Sequence, residues 1–219
     1  MINLYAGLCS SGQMVMLSAP FAVHPTIMAI FKKPSKGCLR FLMADKPGSF
    51  GKPGTVKLLE HDPDNEVSVA TTLSTELHDF QGRLLEHEEK FHHSGVHIHS
   101  KIIMVDPFGA DPVLVTGSAN FSNNSTRVND ENSLIVRGDT AIMDVYATEF
   151  MRMFEHYWFR AHLEGKTKGS KAKVKGKSKK AQLQRLAGLE EDASWTDPYY
   201  KQGDQKMLER LAFVGHANE

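Results

Sequence analysis

A histidine and a lysine two residues apart, His99-Ser100-Lys101, lead an apolar run that ends at Asp106. A strand has a side-chain period of two, so an extended chain presents both to one face. An imidazole beside a fixed cation suits chemistry at phosphorus. The neutral ring can act as nucleophile and the protonated ring as acid, and the ammonium can hold a nonbridging oxygen. A second cluster, Gly117-Ser118-Ala119-Asn120, follows another apolar run and supplies small neutral hydrogen-bond donors. Such donors gain strength as negative charge builds on phosphoryl oxygens, and losing one typically costs about 10²–10³ in rate. Together these residue types describe a pocket for a phosphodiester.

The surrounding pattern predicts the elements that must position them. Apolar runs at Gln13–Ala19, Leu39–Ala44, Glu66–Leu73, Val96–Val105, Val113–Thr116 and Ser133–Arg137 read as strands. Val96–Val105 is the central strand carrying His99 and Lys101, and it forms a hairpin with Val113–Thr116 around the turn Pro107–Pro112. Phe21–Lys33 has helical spacing and stops before Pro34. Lys46–Gly54 and Gly117–Asp130 read as loops, and Glu76–Lys90 as partly helical. The strongest helix spans Thr140 to about Leu163, capped by Asp139 or Thr140, with Met143, Tyr146, Ala147, Phe150, Phe154 and Trp158 in one stripe. Strands with helices between them predict an α/β sandwich.

The chain has 219 residues, 41% of them hydrophobic, enough for a sizeable core. Its net charge of zero hides a split. Residues 1–160 carry 14 Lys and Arg against 18 Asp and Glu, and residues 161–219 carry 12 against 8. Most of the later excess is one tract with eight lysines from Lys166 to Lys180, interleaved with small residues that cannot form a core. The expected organisation is a catalytic domain over 1–163, a lysine-rich flexible linker over 164–182 and a short helical tail over 183–219, with helices near Leu183–Leu189 and Gln205–Phe213. Two cysteines, Cys9 and Cys38, are no disulfide framework and read as buried thiols. No leader pattern or membrane-length apolar run is visible, so a cytoplasmic protein is expected.

The spacing His99-x-Lys101-x-x-x-x-Asp106, then Gly117-Ser118-x-Asn120, with Glu131-Asn132 opening the next strand, resembles the signature of the phospholipase D superfamily, the HKD-motif phosphodiesterases. The resemblance covers roughly residues 10–163. It implies a phospholipase D-like sandwich, a mixed β-sheet flanked by helices, and a catalytic set of His99, Lys101, Asp106 and Glu131. His99 is the expected nucleophile, forming a covalent phosphohistidine, and Glu131 is the candidate to fix its ring through the other nitrogen. Lys101, Ser118 and Asn120 would bind the phosphate. Asp106 is out of phase with His99 and Lys101, so its expected role is to orient neighbours rather than touch substrate. Neither metal nor cofactor is needed, because lysine, amide and hydroxyl groups supply the charge stabilisation. A zinc site using His92, His93, His97 and His99 competes poorly, since the lysine would repel the ion.

Two departures stand out. Ten residues separate Asp106 from Gly117, which lengthens the hairpin tip. The superfamily site also uses two copies of the motif, whereas this chain has one His-x-Lys. Twofold symmetry can supply the second copy, as in the small single-motif bacterial endonucleases of the superfamily, so a homodimer with a shared site is expected. The alternative is that this chain is the second half of a longer two-motif protein. The lysine tract favours a nucleic acid substrate, DNA or RNA, held by charge alone. Phospholipid remains the alternative substrate, since anionic lipid attracts the same lysines. A non-enzymatic phosphate-binding module would not require the complete catalytic set.

Overall fold

Strands apolar at nearly every position must be covered on both faces, and three such runs form the middle of the sheet. These are β1 (Met14–Ala19), β2 (Leu39–Ala44) and β4 (Ile102–Val105), each buried along its whole length. With β3 (Asn65–Val69), β5 (Val113–Gly117) and β6 (Ser133–Arg137) they make a six-stranded sheet in the order β3-β2-β1-β4-β5-β6. The pairs β1–β2 and β2–β3 are parallel, whereas β1–β4, β4–β5 and β5–β6 are antiparallel. The computed structural model that shows this describes residues 1–35, 37–70, 98–169 and 192–214.

Side-chain alternation splits the core into two layers. On one face Val15, Leu17, Leu42, Ile103 and Val115 pack with Tyr5 of α1 (Ile2–Cys9) and with Ile27 and Phe31 of α2 (Pro25–Phe31). On the other, Met16, Phe41, Met43, Met104 and Leu114 pack with Met143, Phe150 and Phe154 of a long helix, Thr140–Gly169. The expected sandwich of a mixed sheet flanked by helices is therefore present. Among the described residues, no helix is long and apolar enough to cross a membrane.

Several elements differ from expectation. Helix α1 was not expected, although Ile2, Tyr5, Ala6 and Cys9 are its buried residues and keep helical spacing. Helix α2 starts at Pro25, not Phe21. His24 caps it, its Nδ1 accepting from Thr26 N at 3.1 Å, and proline suits the first helical position. The Lys46–Gly54 loop contains a 3₁₀ turn, Pro47–Phe50, and leads into α3 (Thr55–Glu60). The loop after β5 contains α4 (Asn123–Arg127). The long helix, α5, is capped by Asp139, whose Oδ1 accepts from Ile142 N at 3.0 Å, and it runs on to Gly169. The β4 ladder begins at Ile102, so His99 and Lys101 precede the strand rather than lying within it. The expected helices at Glu76–Lys90 and Leu183–Leu189 lie outside the described residues.

The helix expected in the tail is α6 (Gln205–Phe213), and it is docked on the domain. Phe213 meets Phe41 and Phe108 at centroid distances of 5.8 and 5.1 Å, and Lys206 pairs with Glu66 of β3 at 3.6 Å. Residues 205–213 thus share the core of the first 163 rather than forming a separate tail, because their apolar face completes the layer built by α5.

Asp106 ends β4 at the far end from His99. Its Oδ1 accepts from Gln13 N at 2.7 Å and Met14 N at 2.9 Å, and its own N–H donates to Met14 O at 2.9 Å. Asp106 takes a positive φ of 46°, which aspartate tolerates better than most residues. Gly12 admits this approach, since a Cβ there would sit 2.4 Å from Val105 Cγ1. The carboxylate therefore latches the start of β1 to the end of β4. We expect Asp106→Ala to cost about 1–3 kcal/mol in urea unfolding; an unchanged unfolding midpoint would overturn the latch. Both cysteines are buried, and burial pushes the Cys9 thiol up to about 12 and raises that of Cys38. Neither should react with an aromatic disulfide reagent at mildly alkaline pH until denaturant is added.

Candidate active site

The sheet brings four chain segments to one end. Antiparallel pairing sets the start of β4 beside the ends of β1 and β5, and the start of β6 beside the end of β5. The His99–Lys101 segment is fixed before its strand begins. Ile98 N donates to Asp45 Oδ1 at 3.0 Å, and the Ser100 hydroxyl lies 2.6 Å from that of Ser18 on β1. With Ser100 turned back to β1, His99 and Lys101 project together.

Lys101 is buried, 7% exposed, whereas His99 is exposed. Lys101 Nζ donates to His99 O at 2.8 Å and stands 3.3 Å from Nδ1 and 3.2 Å from Nε2 of the same residue. Burial pushes the Lys101 ammonium below the ordinary lysine value, and the nearby Glu131 charge partly offsets this. A cation held against both ring nitrogens can receive an anionic oxygen beside the ring.

Gly117 ends β5 with φ of 144°, and a Cβ there would lie 2.5 Å from Asn132 O. Only glycine permits this approach of β5 to the start of β6. Across it, Ser118 N and Ala119 N both donate to Asn132 O at 3.2 Å. Ser118 Oγ donates to Glu131 Oε2 at 2.5 Å and accepts from Asn132 N at 3.0 Å. Asn129 Nδ2 donates to Glu131 Oε1 at 3.2 Å. These bonds, the Ser118 hydroxyl first, hold the Glu131 carboxyl below the usual carboxylate range, with Lys101 adding to the effect. Asn120 Nδ2 reaches Ser125 Oγ at 3.4 Å, and its Oδ1 is buried without a hydrogen-bond partner.

His99, Lys101, Ser118, Asn120 and Glu131 line one open pocket of about 680 Å³. Asp106 is not part of it. Glu131 was expected against the ring of His99, yet its carboxylate is engaged by Ser118 and Asn129, and among the described residues no hydrogen bond joins it to His99. The Ser118 hydroxyl is correspondingly committed to Glu131 rather than free for phosphate. Sequence reasoning also missed Tyr146, which lines the pocket, and Phe21, whose ring meets that of His99 edge-on. Tyr146 belongs to the apolar stripe of α5, which gave no sign of a second role. Among the described residues, no group of three or more His, Cys, Asp or Glu side chains converges as a metal site. His92, His93 and His97 lie outside them.

Comparison with known proteins supplies the setting for this geometry. The family model described as cardiolipin synthase, PLD-like domain, matches residues 51–158, a span that includes His99, Lys101, Ser118, Asn120 and Glu131. No curated protein matches the chain. Among solved structures, the chain is similar to NucT from Helicobacter pylori, with 18% identity over 70% of this chain and 86% of that one and a TM-score of 0.46. It is also similar to a phospholipase D family member, Nuc, from Salmonella typhimurium, with 18% identity over 72% and 86% and a TM-score of 0.44. A third, polyphosphate kinase from Porphyromonas gingivalis, is matched over 71% of this chain and 23% of that one, with 12% identity and a TM-score of 0.41. Residues 51–158, which contain the His-x-Lys pocket, are thus similar to a phospholipase D-like domain.

Proposed function

We propose that the protein is a metal-independent phosphodiesterase, a nonspecific endonuclease, working through a phosphohistidine at a site shared by two subunits. The observation that carries this reading is the Lys101 ammonium lying 3.2–3.3 Å from both ring nitrogens of His99 in a pocket shared with Ser118, Asn120 and Glu131. The neutral His99 ring attacks phosphorus, a P–N bond forms, and the P–O bond to the leaving alcohol breaks. Lys101 and Asn120 take the charge that develops on the nonbridging oxygens. Water then attacks the phosphohistidine, the P–N bond breaks, and a phosphomonoester leaves. When phosphate draws the Ser118 hydroxyl, the Glu131 carboxylate is released to orient the imidazole.

The departing alkoxide needs a proton, and the chain's single His-x-Lys motif cannot provide both roles at once. The protonated His99 of the partner subunit supplies it in this reading, and the same ring then takes the proton that the attacking water gives up. Edge strand β6, which begins two residues after Glu131, leaves Leu134 and Ile135 exposed, and Ile142 and Val145 are exposed on the first turns of α5. That apolar margin beside the pocket suits a second copy of the chain. The Lys166–Lys180 tract favours a polyanionic substrate. The second reading, a phosphatidyl transferase in which an alcohol resolves the phosphohistidine, draws support from the cardiolipin synthase description of the matching family model.

One experiment separates these readings. The purified chain is incubated with plasmid, RNA and phosphatidylcholine in EDTA, and its mass is measured by sedimentation. Nucleic acid should be cut, chelator should not matter, and the mass should be that of a dimer. His99→Ala should lower turnover by about 10⁴-fold or more without changing the mass; a variant that keeps its activity would remove His99 as nucleophile. A pH profile tests Lys101. Its depressed pKa means that the ammonium is lost as pH rises, so kcat/KM should fall on an alkaline limb placed below 10.5. Lys101→Arg should move that limb out of the measurable range.

A further inference from the structure

Phe21, in the loop between β1 and α2, is a large apolar side chain left 46% exposed. The chain on both sides of it is tied down. Ser49 Oγ donates to Pro20 O at 3.3 Å, Val23 N donates to Ser49 O at 2.9 Å, and His24 N donates to Phe121 O at 2.7 Å. Pro20 and Val23 are buried, so the loop presents Phe21 to solvent from a fixed base. It presents it at the pocket. The ring is 5.8 Å from that of His99 at an interplanar angle of 82°, and Lys101 Nζ lies 6.0 Å from its centroid.

An apolar ring kept in water beside a cationic pocket is unfavourable by itself and is relieved by a flat apolar partner. The substrate proposed above brings one. In a nucleotide chain, a base hangs one sugar away from every phosphate, within reach of a ring that touches the attacking histidine. We infer that Phe21 stacks the base flanking the scissile phosphate and so aligns that phosphate with His99. The inference rests on the nuclease reading. Every base has a π face, so this grip holds a strand without selecting its sequence.

The test uses the full chain and its variants Phe21→Ala, Phe21→Leu and Phe21→Trp. Two single-stranded oligonucleotides of equal length serve as substrates, one with ordinary bases and one with abasic sugars throughout. On the ordinary strand, kcat/KM should fall about ten- to a hundredfold for the alanine and leucine variants, chiefly through KM, and tryptophan should restore it. On the abasic strand all four proteins should perform alike. An equal loss on both strands would overturn the inference alone, leaving Phe21 as a support for the His99 ring. A wild-type chain that hydrolyses phosphatidylcholine and neither strand would overturn the nuclease reading, and this inference with it. Matching thermal unfolding of the four proteins excludes a folding defect.

Discussion

The site depends on one buried cation. Removing an ammonium from water costs several kcal/mol unless anions or well-placed dipoles replace the solvent. Lys101 finds only dipoles: the carbonyl and ring nitrogens of its own neighbour, His99. Among the described residues no carboxylate comes within salt-bridge distance, and Glu131 acts on it only from further off. A lysine serving stability alone would be better placed in solvent or against an acid. A partly satisfied ammonium in an open pocket leaves room for an anion to complete its contacts.

Everything else in the sheet serves to hold that pair. A one-residue slip between β4 and β1 would turn His99 and Lys101 to the opposite face. The Ser18–Ser100 contact, the Asp45 bond to Ile98 and the Asp106 latch at the far end of β4 each resist such a slip from a different point. The buried side chains of β1, β2 and β4, covered by helices on both faces, supply the cohesion. On the facing side, Gly117 lets β5 close onto Asn132, and that closure puts Ser118 and Glu131 in hydrogen-bond contact across the pocket.

The parts of this picture that were legible in the sequence are those governed by short separations along the chain. Alternation between His99 and Lys101 is a two-residue relation, and it placed both on one side even though the ladder begins only at Ile102. Continuous apolar runs identified the central strands, and the stripe through Phe150 and Phe154 identified α5. Helix α1 carries a stripe of its own in Ile2, Tyr5, Ala6 and Cys9, over only eight residues. The start of α2 was misplaced because proline-led helix signals and a histidine cap compete with apolar spacing, and the cap prevailed.

The sequence alone supplied the residue types and their phase: an imidazole and a cation two residues apart, and a cluster of small donors after the next apolar run. Tertiary structure alone decided the partners. Glu131 meets Ser118 instead of His99, Asp106 bonds to the start of β1 at the end of β4 opposite His99, Phe21 arrives beside His99 from a loop far away in the chain, and α6 packs into the core it was expected to trail behind. The reason is physical. Backbone periodicity dictates where a side chain points within its own element, whereas contacts across strands and loops depend on register, on close approaches such as those at Gly12 and Gly117, and on which apolar surfaces remain to be covered.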